Sequence, residues 1–201
     1  MGRRSIHSPE ELRELIIQAT TEIVEEDGLE GLSAREIAKR IGYSPGTLYN
    51  VFENLDDILL TIEARLLDRL AERLAKTDAS GTPQERLKRL TDAYFAFTQE
   101  RPKLWNLLVE HRLPVGKDLP PWYRAKLECL LTPLEEALAP LVGGRNAGEQ
   151  KRAARALWAS VHGMTSLSTA AKLAPVTGPA SAALVDDLVS TYLAGLTKRR
   201  A

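Results

Sequence analysis

The side chains that most often bind metals or act as nucleophiles are few and far apart in this sequence. The chain contains three histidines and one cysteine, namely His7, His111, His162 and Cys129. None of them has a second ligand at the C-x-x-C, H-x-x-x-H or E-x-x-H spacing of metal sites. The spacing also suggests no Ser–His–Asp arrangement and no glycine-rich phosphate loop. We therefore expect no metal, no cofactor and no enzymatic activity.

The cysteine usage and the hydropathy pattern indicate a cytoplasmic protein. A lone cysteine cannot form an internal disulfide, which is typical of a reducing compartment. Cys129 lies in the apolar helical pattern C-L-L-T, so we expect it to pack as a small hydrophobic side chain. No stretch approaches the ~18 to 20 apolar residues of a membrane span, and the first residues turn charged at once. We expect neither a membrane segment nor a signal peptide.

Hydrogen-bonding side chains concentrate instead between residues 33 and 52. This segment reads S-A-R-E-I-A-K-R-I-G-Y-S-P-G-T-L-Y-N-V-F. It predicts two short capped helices joined by a turn at Gly42, which is the spacing of a helix-turn-helix. The predicted inward positions are Ile37, Ala38 and Ile41 on the first helix and Leu48 and Phe52 on the second.

The outward face of the second helix is small and polar. At about 100° per residue, the direction opposite Leu48 and Phe52 belongs to Gly46, Thr47 and Asn50, with Tyr49 at the flank. Such a helix can lie in a major groove and reach base edges, and Gly46 would let its backbone approach closely. Helix N-termini at Ser33 and Ser44 favour phosphate oxygens. On pattern alone, a helical hairpin with a solvated face remains the alternative.

The elements around this segment are all predicted to be helical. Helix starts are marked by a hydroxyl residue with a glutamate three positions later: Ser8 with Glu11, Ser33 with Glu36, and Thr82 with Glu85. The 3.6-residue period predicts about nine helices and an all-α fold. Their expected ranges are about 9–27, 33–40, 44–51, 54–76, 83–99, 102–112, 121–141, 148–172 and 179–198, with Pro175 to Pro179 as a loop. We expect a helix-turn-helix domain at 1–53 and a larger helical bundle at 54–201.

Residues 9 to 60 resemble the N-terminal domain of TetR-type (tetracycline-repressor-like) transcription regulators. The resemblance is carried by R-E-I-A-K-R-I-G-Y-S-P-G-T-L-Y-N-V-F-E-N-L-D-D-I-L. It implies double-stranded DNA as a partner, with Ser33, Ser44, Thr47 and Tyr49 on backbone or bases and Arg35 and Lys39 near the phosphates. The expected DNA-binding set is Ser33, Arg35, Lys39, Ser44, Pro45, Gly46, Thr47, Tyr49 and Asn50.

Charge and two departures from the family pattern weaken the expected non-specific DNA binding. The chain has 27 basic and 27 acidic residues, and residues 1 to 52 carry 6 against 9. Val51 and Leu55 stand where many family members have phosphate-contacting His and Lys, and each lost contact removes part of the counterion-release term. Arg3 and Arg4 form a short basic arm that either compensates or is irrelevant; the sequence leaves both open.

The C-terminal two-thirds predicts a homodimer module. The last two predicted helices, near residues 148–172 and 179–198, are suited to dimerisation, because two helices from each subunit could form a four-helix interface. The stripes expected to form it are Leu157, Val161, Met164, Ser168 and Ala171, and then Leu184, Val185, Leu188, Val189, Tyr192 and Leu196. The alternative is that both stripes are intramolecular core.

The run A-L-W-A-S-V-H-G-M-T-S-L resembles a TetR-type C-terminal domain with a Trp, His-Gly signature. Gly163 in a helix interior suggests close approach of another helix. For His162, a buried imidazole beside Trp158 with a satisfied hydrogen bond is favoured over a ligand-binding one. An effector pocket is expected among the aromatic residues, and the candidates are Phe95, Trp105, His111, Trp122, Trp158 and His162.

The sequence thus predicts a homodimeric regulator, most simply a repressor, that binds a palindromic operator. A small apolar or aromatic effector would release it by shifting the population away from the DNA-competent state. The alternative is a helical-bundle small-molecule-binding protein or enzyme whose N-terminal hairpin serves protein interaction only.

Overall fold

The computed structural model describes residues 7–143, 146–178 and 181–198. Within these ranges the chain forms α-helices, turns and loops without a strand, so the predicted all-α class is confirmed. The basic arm at Arg3 and Arg4 lies outside the described residues. Among the described residues, no helix is both long and apolar enough to cross a membrane.

Ten helices and one short 3₁₀ turn make up the described structure. They are α1 (Pro9–Asp27), the 3₁₀ turn (Leu29–Gly31), α2 (Ala34–Ile41), α3 (Pro45–Leu48), α4 (Leu55–Ala75), α5 (Pro83–Glu100), α6 (Pro102–Glu110), α7 (Pro121–Leu138), α8 (Ala147–Thr169), α9 (Ala174–Thr177) and α10 (Ser181–Lys198). The prediction of a loop at 175–179 was wrong in part, because the short helix α9 (Ala174–Thr177) occupies most of this segment. Helix α3 is shorter than expected, since the chain after Leu48 continues as a turn.

The capping pattern explains where most long helices begin. Ser8 with Glu11 and Thr82 with Glu85 form the reciprocal capping boxes that their spacing predicts. Ser33 accepts a hydrogen bond from the Glu36 amide, as expected. A third box, Asn146 with Glu149, starts α8 and was missed, because the predicted start at residue 148 lay one residue after the observed one. These contacts satisfy amides that the first helical turn leaves without partners.

The cap expected at Ser44 is absent. Its hydroxyl makes no hydrogen bond to an α3 amide and lies 3.0 Å from the Thr47 hydroxyl instead. Pro45 at the first helical position supplies the start, since its ring fixes a helical φ and it has no amide to satisfy.

The chain divides into two compact units. The first comprises residues up to Leu66 together with Lys103–Leu119, and its fully buried residues include Ile16, Ile37, Leu48 and Ile58. The second comprises Leu67–Pro102 and the chain from Pro120 onward, with Leu87, Leu138 and Leu157 fully buried. The domain boundary at residues 53 and 54 stays a prediction.

Three expectations about the second unit need correction, and they concern Cys129, the apolar stripes of α8 and α10, and Gly163. Cys129 is exposed on α7 and does not pack as a core residue. Leu157 and Val161 on α8 are 0% and 3% exposed in the single chain, and Val185 and Val189 on α10 are also buried. These stripes are therefore largely intramolecular core.

Gly163 does not approach another helix of its own chain. It is exposed, and a Cβ atom added there would meet nothing within 4 Å. The expected close helix approach is thus not found within the chain.

Candidate nucleic-acid interface and ligand cavity

The turn between α2 and α3 is set by Gly42. Its φ of 75° lies in the left-handed region that favours glycine, and it follows directly on the last residue of α2. The amide of Tyr43 donates to the Ala38 carbonyl at 2.9 Å, which closes the end of the helix. This arrangement ends α2 sharply and directs the chain into α3.

The short helix α3 turns its apolar side into the first unit and its polar side outward. Leu48 is 0% and Phe52 3% exposed. Gly46 and Asn50 are exposed, Tyr49 is half exposed and Thr47 is half-buried. The structure thus brings the predicted outward residues onto one accessible surface, which we call the α3 face: Ser44, Gly46, Thr47, Tyr49 and Asn50.

Gly46 on the α3 face has open space above it. Apart from its chain neighbours and the backbone of its own helix, the atom nearest to a Cβ added there would be the Ser44 hydroxyl oxygen, 4.0 Å away. Its φ is not in the left-handed region either. The fold of the chain itself therefore does not require glycine at this position.

Arg13 on α1 holds the segment that follows α3, and the sequence reasoning missed it. Its guanidinium donates to the Val51 carbonyl at 3.0 Å and to the Thr61 hydroxyl at 3.3 Å. It also lies over the Phe52 ring, 4.1 Å from the centroid. Because Phe52 is inward-facing, these contacts fix the side of α3 opposite the α3 face. The position of Arg13 within the apolar stripe of α1 was the sequence signal that could have revealed this role.

The basic residues of α2 differ in how far they are neutralised. Arg40 forms a two-pronged ion pair with Glu26, at 2.9 and 2.6 Å, and the guanidinium lowers the pKa of that carboxyl. Lys39 is exposed, and its ion pair with Glu36 is long, at 3.5 Å. Arg35 is exposed and has no acidic partner among the described residues. Arg35 and Lys39 are therefore the cations of this segment best placed to meet a polyanion.

The second unit contains an apolar cavity between four helices. Its walls include Leu74 of α4, Leu90 and Tyr94 of α5, Leu134 of α7, and Leu157 and Trp158 of α8. Its interior volume is about 30 Å³, which is room for one or two water molecules and well below the 300–1,000 Å³ of sites for drug-sized ligands. The apolar lining, rather than the size, makes this cavity a candidate ligand site.

One edge of this cavity is polar. The Tyr94 hydroxyl lies 2.6 Å from Nδ1 of His162, whose ring stacks on Trp158 with centroids 5.0 Å apart. Burial raises the pKa of Tyr94 and lowers that of His162. Both groups are therefore neutral near pH 7, and the tautomer of the imidazole decides which of the two donates the hydrogen bond. The expected satisfied imidazole beside Trp158 is what the structure has.

The cavity collects few of the aromatic residues that the sequence suggested. Trp158 lines it, whereas His162 is not a lining residue and contacts two of them, Tyr94 and Trp158. Phe95 and Trp122 are not among its lining residues, and Trp122 is 46% exposed. Trp105 and His111 belong to the first unit. Which residues line a cavity depends on how helices distant in sequence pack together, and aromatic content alone does not show this.

His111 has a different environment, between two carboxylates. Its Nδ1 is 2.6 Å from Glu63 and its Nε2 is 3.2 Å from Asp56. Burial alone would lower the pKa of His111, but the hydrogen bonds and charges of Glu63 and then Asp56 outweigh it and raise the pKa. Because the carboxylates approach opposite ring nitrogens, the arrangement stabilises the doubly protonated, charged form of the imidazole.

Both the N-terminal and the C-terminal part of the chain match known protein families. Residues 16–62 match the family described as bacterial regulatory proteins, tetR family, and residues 87–192 match the tetracyclin repressor-like C-terminal domain. The chain is 22% identical over 197 residues to Rv0681 of Mycobacterium tuberculosis, described as an uncharacterized HTH-type transcriptional regulator, covering 98% of this chain and 87% of that one. It is 26% identical over 187 residues to the HTH-type transcriptional regulator BetI of Rhizobium meliloti, covering 90% and 89%.

Solved structures share the fold at low sequence identity. The fatty acid degradation regulator FadR of Bacillus halodurans superposes with a TM-score of 0.64 at 20% identity, covering 94% of this chain and 97% of that one. FadR of Bacillus subtilis, solved in complex with stearoyl-CoA, superposes with a TM-score of 0.63 at 18% identity, covering 90% and 98%. With both of its parts matched, the chain belongs to the TetR family of transcriptional regulators and carries the family's DNA-binding helix-turn-helix domain.

Proposed function

We propose that this protein is a homodimeric, ligand-responsive repressor that binds a palindromic operator and is released by a small apolar effector. The observation that carries the DNA-binding part is the α3 face, where polar residues are exposed while Leu48 and Phe52 anchor the helix from behind. A helix held in this way can enter a major groove with its reading side unobstructed.

The expected DNA contacts divide into two kinds. Thr47, Tyr49 and Asn50 read base edges, because their side chains offer hydrogen bonds on the accessible side of α3. The remaining residues set position on the phosphates, which carries no direct sequence information. These are Ser33, Arg35, Lys39 and Ser44, while Pro45 packs beside the DNA at the start of α3 and Gly46 allows close backbone approach.

The proposed dimer uses the outer sides of α8 and α10. The buried stripes are occupied within the chain, but a second face of small side chains is exposed, including Ala156, Ser160 and Gly163 on α8 and Ala194 and Gly195 on α10. Leu167 adds a large apolar side chain that is 46% exposed. A two-fold dimer places two recognition helices about one DNA turn apart, which a palindromic operator matches.

Ligand release follows from a population shift. Helix α4 contributes residues to both units, since Leu66 ends one segment and Leu67 begins the next. A ligand that favours an arrangement of the units in which the recognition helices no longer match the groove spacing lowers DNA affinity by its preference for that state. The cavity in the second unit is the proposed ligand site.

In vitro selection from a random double-stranded pool tests the proposal. The purified full-length protein should enrich an inverted repeat whose half-site centres are about one helical turn, or a multiple of it, apart. Sedimentation of the selected duplex with the protein should give complexes with an even number of chains. Enrichment of no motif would contradict the DNA-binding proposal, and a single half-site bound by one chain would contradict the dimer.

A further inference from the structure

The cavity of the second unit is too small, as it stands, for an effector of more than a few atoms. Its interior volume of about 30 Å³ holds one or two water molecules. Its walls are formed by α4, α5, α7 and α8. A larger ligand can therefore enter only if one of these walls moves.

Helix α7 contributes a wall that is interrupted by a proline. Because Pro133 has no amide hydrogen, the carbonyl of Cys129, four residues earlier, cannot accept the usual helical hydrogen bond, and the proline ring crowds it. Helices bend most readily at such a position. The break lies within the lining itself, to which α7 contributes Leu130, Leu131, Pro133 and Leu134.

The part of α7 before the proline, Pro121–Thr132, is lightly packed, and we call it the α7 arm. Its buried residues are Tyr123 and Leu130, and the much shorter part after the proline has as many, Ala137 and Leu138. The other residues of the α7 arm are exposed or half-buried. The end of α7 is therefore fixed in the core, and the α7 arm is the part that can turn.

The contacts of the neighbouring walls point the same way. A surface ion pair joins the α7 arm to α4, between Lys126 and Asp68, whose side chains are 33% and 53% exposed. Such exposed pairs contribute little to stability. In contrast, α5 and α8 are joined by a partly buried hydrogen bond between Tyr94 and His162, at 2.6 Å. Displacing the α7 arm therefore costs less than separating α5 from α8.

We propose that the α7 arm is a lid, which turns about Pro133 and opens the cavity. The inference rests on the proposed function, because it states how the proposed ligand site admits its effector. Pro133 is the hinge, since it weakens the closed helix at the one point where bending exposes the lining.

Thiol accessibility in the full-length protein, without DNA or ligand, tests the lid. The one native cysteine, which is exposed, is first removed by Cys129→Ser. Val161→Cys then places a thiol in the cavity wall on α8, and Val189→Cys places a matched thiol on α10, outside the lining. The two valines are 3% and 4% exposed. The small neutral reagent methyl methanethiosulfonate should modify position 161 at least about tenfold faster than position 189, because lid opening exposes only the cavity.

Two neighbouring substitutions in α7 separate the hinge from general helix stability. Pro133→Ala restores the missing amide and should slow modification at position 161 at least about tenfold, leaving position 189 unchanged. Thr132→Ala, at an exposed position, raises helix propensity without adding an amide. It should slow modification at position 161 by no more than about threefold.

Hydrogen exchange followed by mass spectrometry provides a test that needs no introduced cysteine. Pro133→Ala should slow exchange along the whole α7 arm, at residues 124–132, compared with the wild-type protein. A lid that turns as one body requires this, whereas a local effect would be confined to position 133 and its immediate neighbours. Exchange in α10 should not change.

Several results would overturn the inference. They are equal modification rates at positions 161 and 189 in the Pro133 background, equal slowing by Pro133→Ala and Thr132→Ala, or an exchange effect confined to position 133. Because no DNA is present, these outcomes are separable from the proposed function. Hinge-dependent modification in a protein that selects no DNA motif refutes only the latter, and sequence-specific DNA binding without faster modification at position 161 refutes only the inference.

Discussion

Replacing Arg13 with alanine should destabilise the helix-turn-helix from behind while leaving the α3 face chemically unchanged. The guanidinium makes one good hydrogen bond to a carbonyl, at 3.0 Å from Val51, and a longer one, at 3.3 Å from Thr61. A hydrogen bond from a charged donor contributes about 1.5 to 3 kcal/mol, and the longer bond less. The contact over Phe52 adds about 0.5 to 1 kcal/mol. Since Arg13 is only half-buried, we expect a net loss near 2 kcal/mol.

Urea unfolding followed by circular dichroism measures this loss, and Arg65→Ala is the matched control. Arg65 also joins α1 to α4, through Glu14, but the two side chains are 47% and 59% exposed. Exposed ion pairs of this kind contribute about 0 to 1 kcal/mol. DNA affinity, measured where both variants are folded, should also fall more for Arg13→Ala, because α3 loses the contact that fixes its orientation. Equal stability losses in the two variants would refute the reasoning.

Three further predictions follow from the site. Asn50→Ala should change base preference in a repeated DNA selection with little effect on the salt dependence of binding, and an unchanged preference would mean that the groove-facing side of α3 is assigned wrongly. Lys39→Ala should weaken binding to all sequences alike and reduce the slope of log affinity against log salt by about one for each lost contact, as a fluorescence-anisotropy salt series would show. The raised pKa of His111 makes its pairing with Glu63 and Asp56 fully stabilising below the unfolded-state value of about 6.5, and this contribution is lost as pH rises through the folded-state pKa. The unfolding free energy of the wild type should therefore fall relative to that of His111→Gln between pH 6 and 9, and parallel curves would contradict this.

Local features of the fold could be predicted from the sequence, because they depend on residues a few positions apart. The capping boxes at Ser8 and Thr82 and the turn at Gly42 are contacts within one helical turn, and the structure has all of them. The orientation of α3 also followed from periodicity, since only one side of so short a helix is apolar. The sequence did not show that α3 ends at Leu48, nor that the Ser44 hydroxyl bonds to Thr47 in place of an α3 amide.

Features that depend on packing between distant segments could not be predicted. An apolar stripe on α8 indicates burial without indicating whether the same chain or a second one covers it, and Leu157 is covered within the chain. Cys129 illustrates the reverse case, as it belongs to an apolar run but lies on the exposed side of α7. The cavity requires four helices to meet, so its lining residues have no common sequence signal. Only Trp158 among the aromatic candidates lines it.

The central claim is that the α3 face reads DNA sequence, and one comparison tests it most directly. Fluorescence anisotropy at physiological salt should give an affinity for the selected operator at least about 10³-fold higher than for a scrambled duplex of the same composition. The double variant Thr47→Ala with Asn50→Ala should lose most of that ratio while still binding both duplexes weakly. Equal affinity of the wild-type protein for the operator and the scrambled duplex would contradict the account.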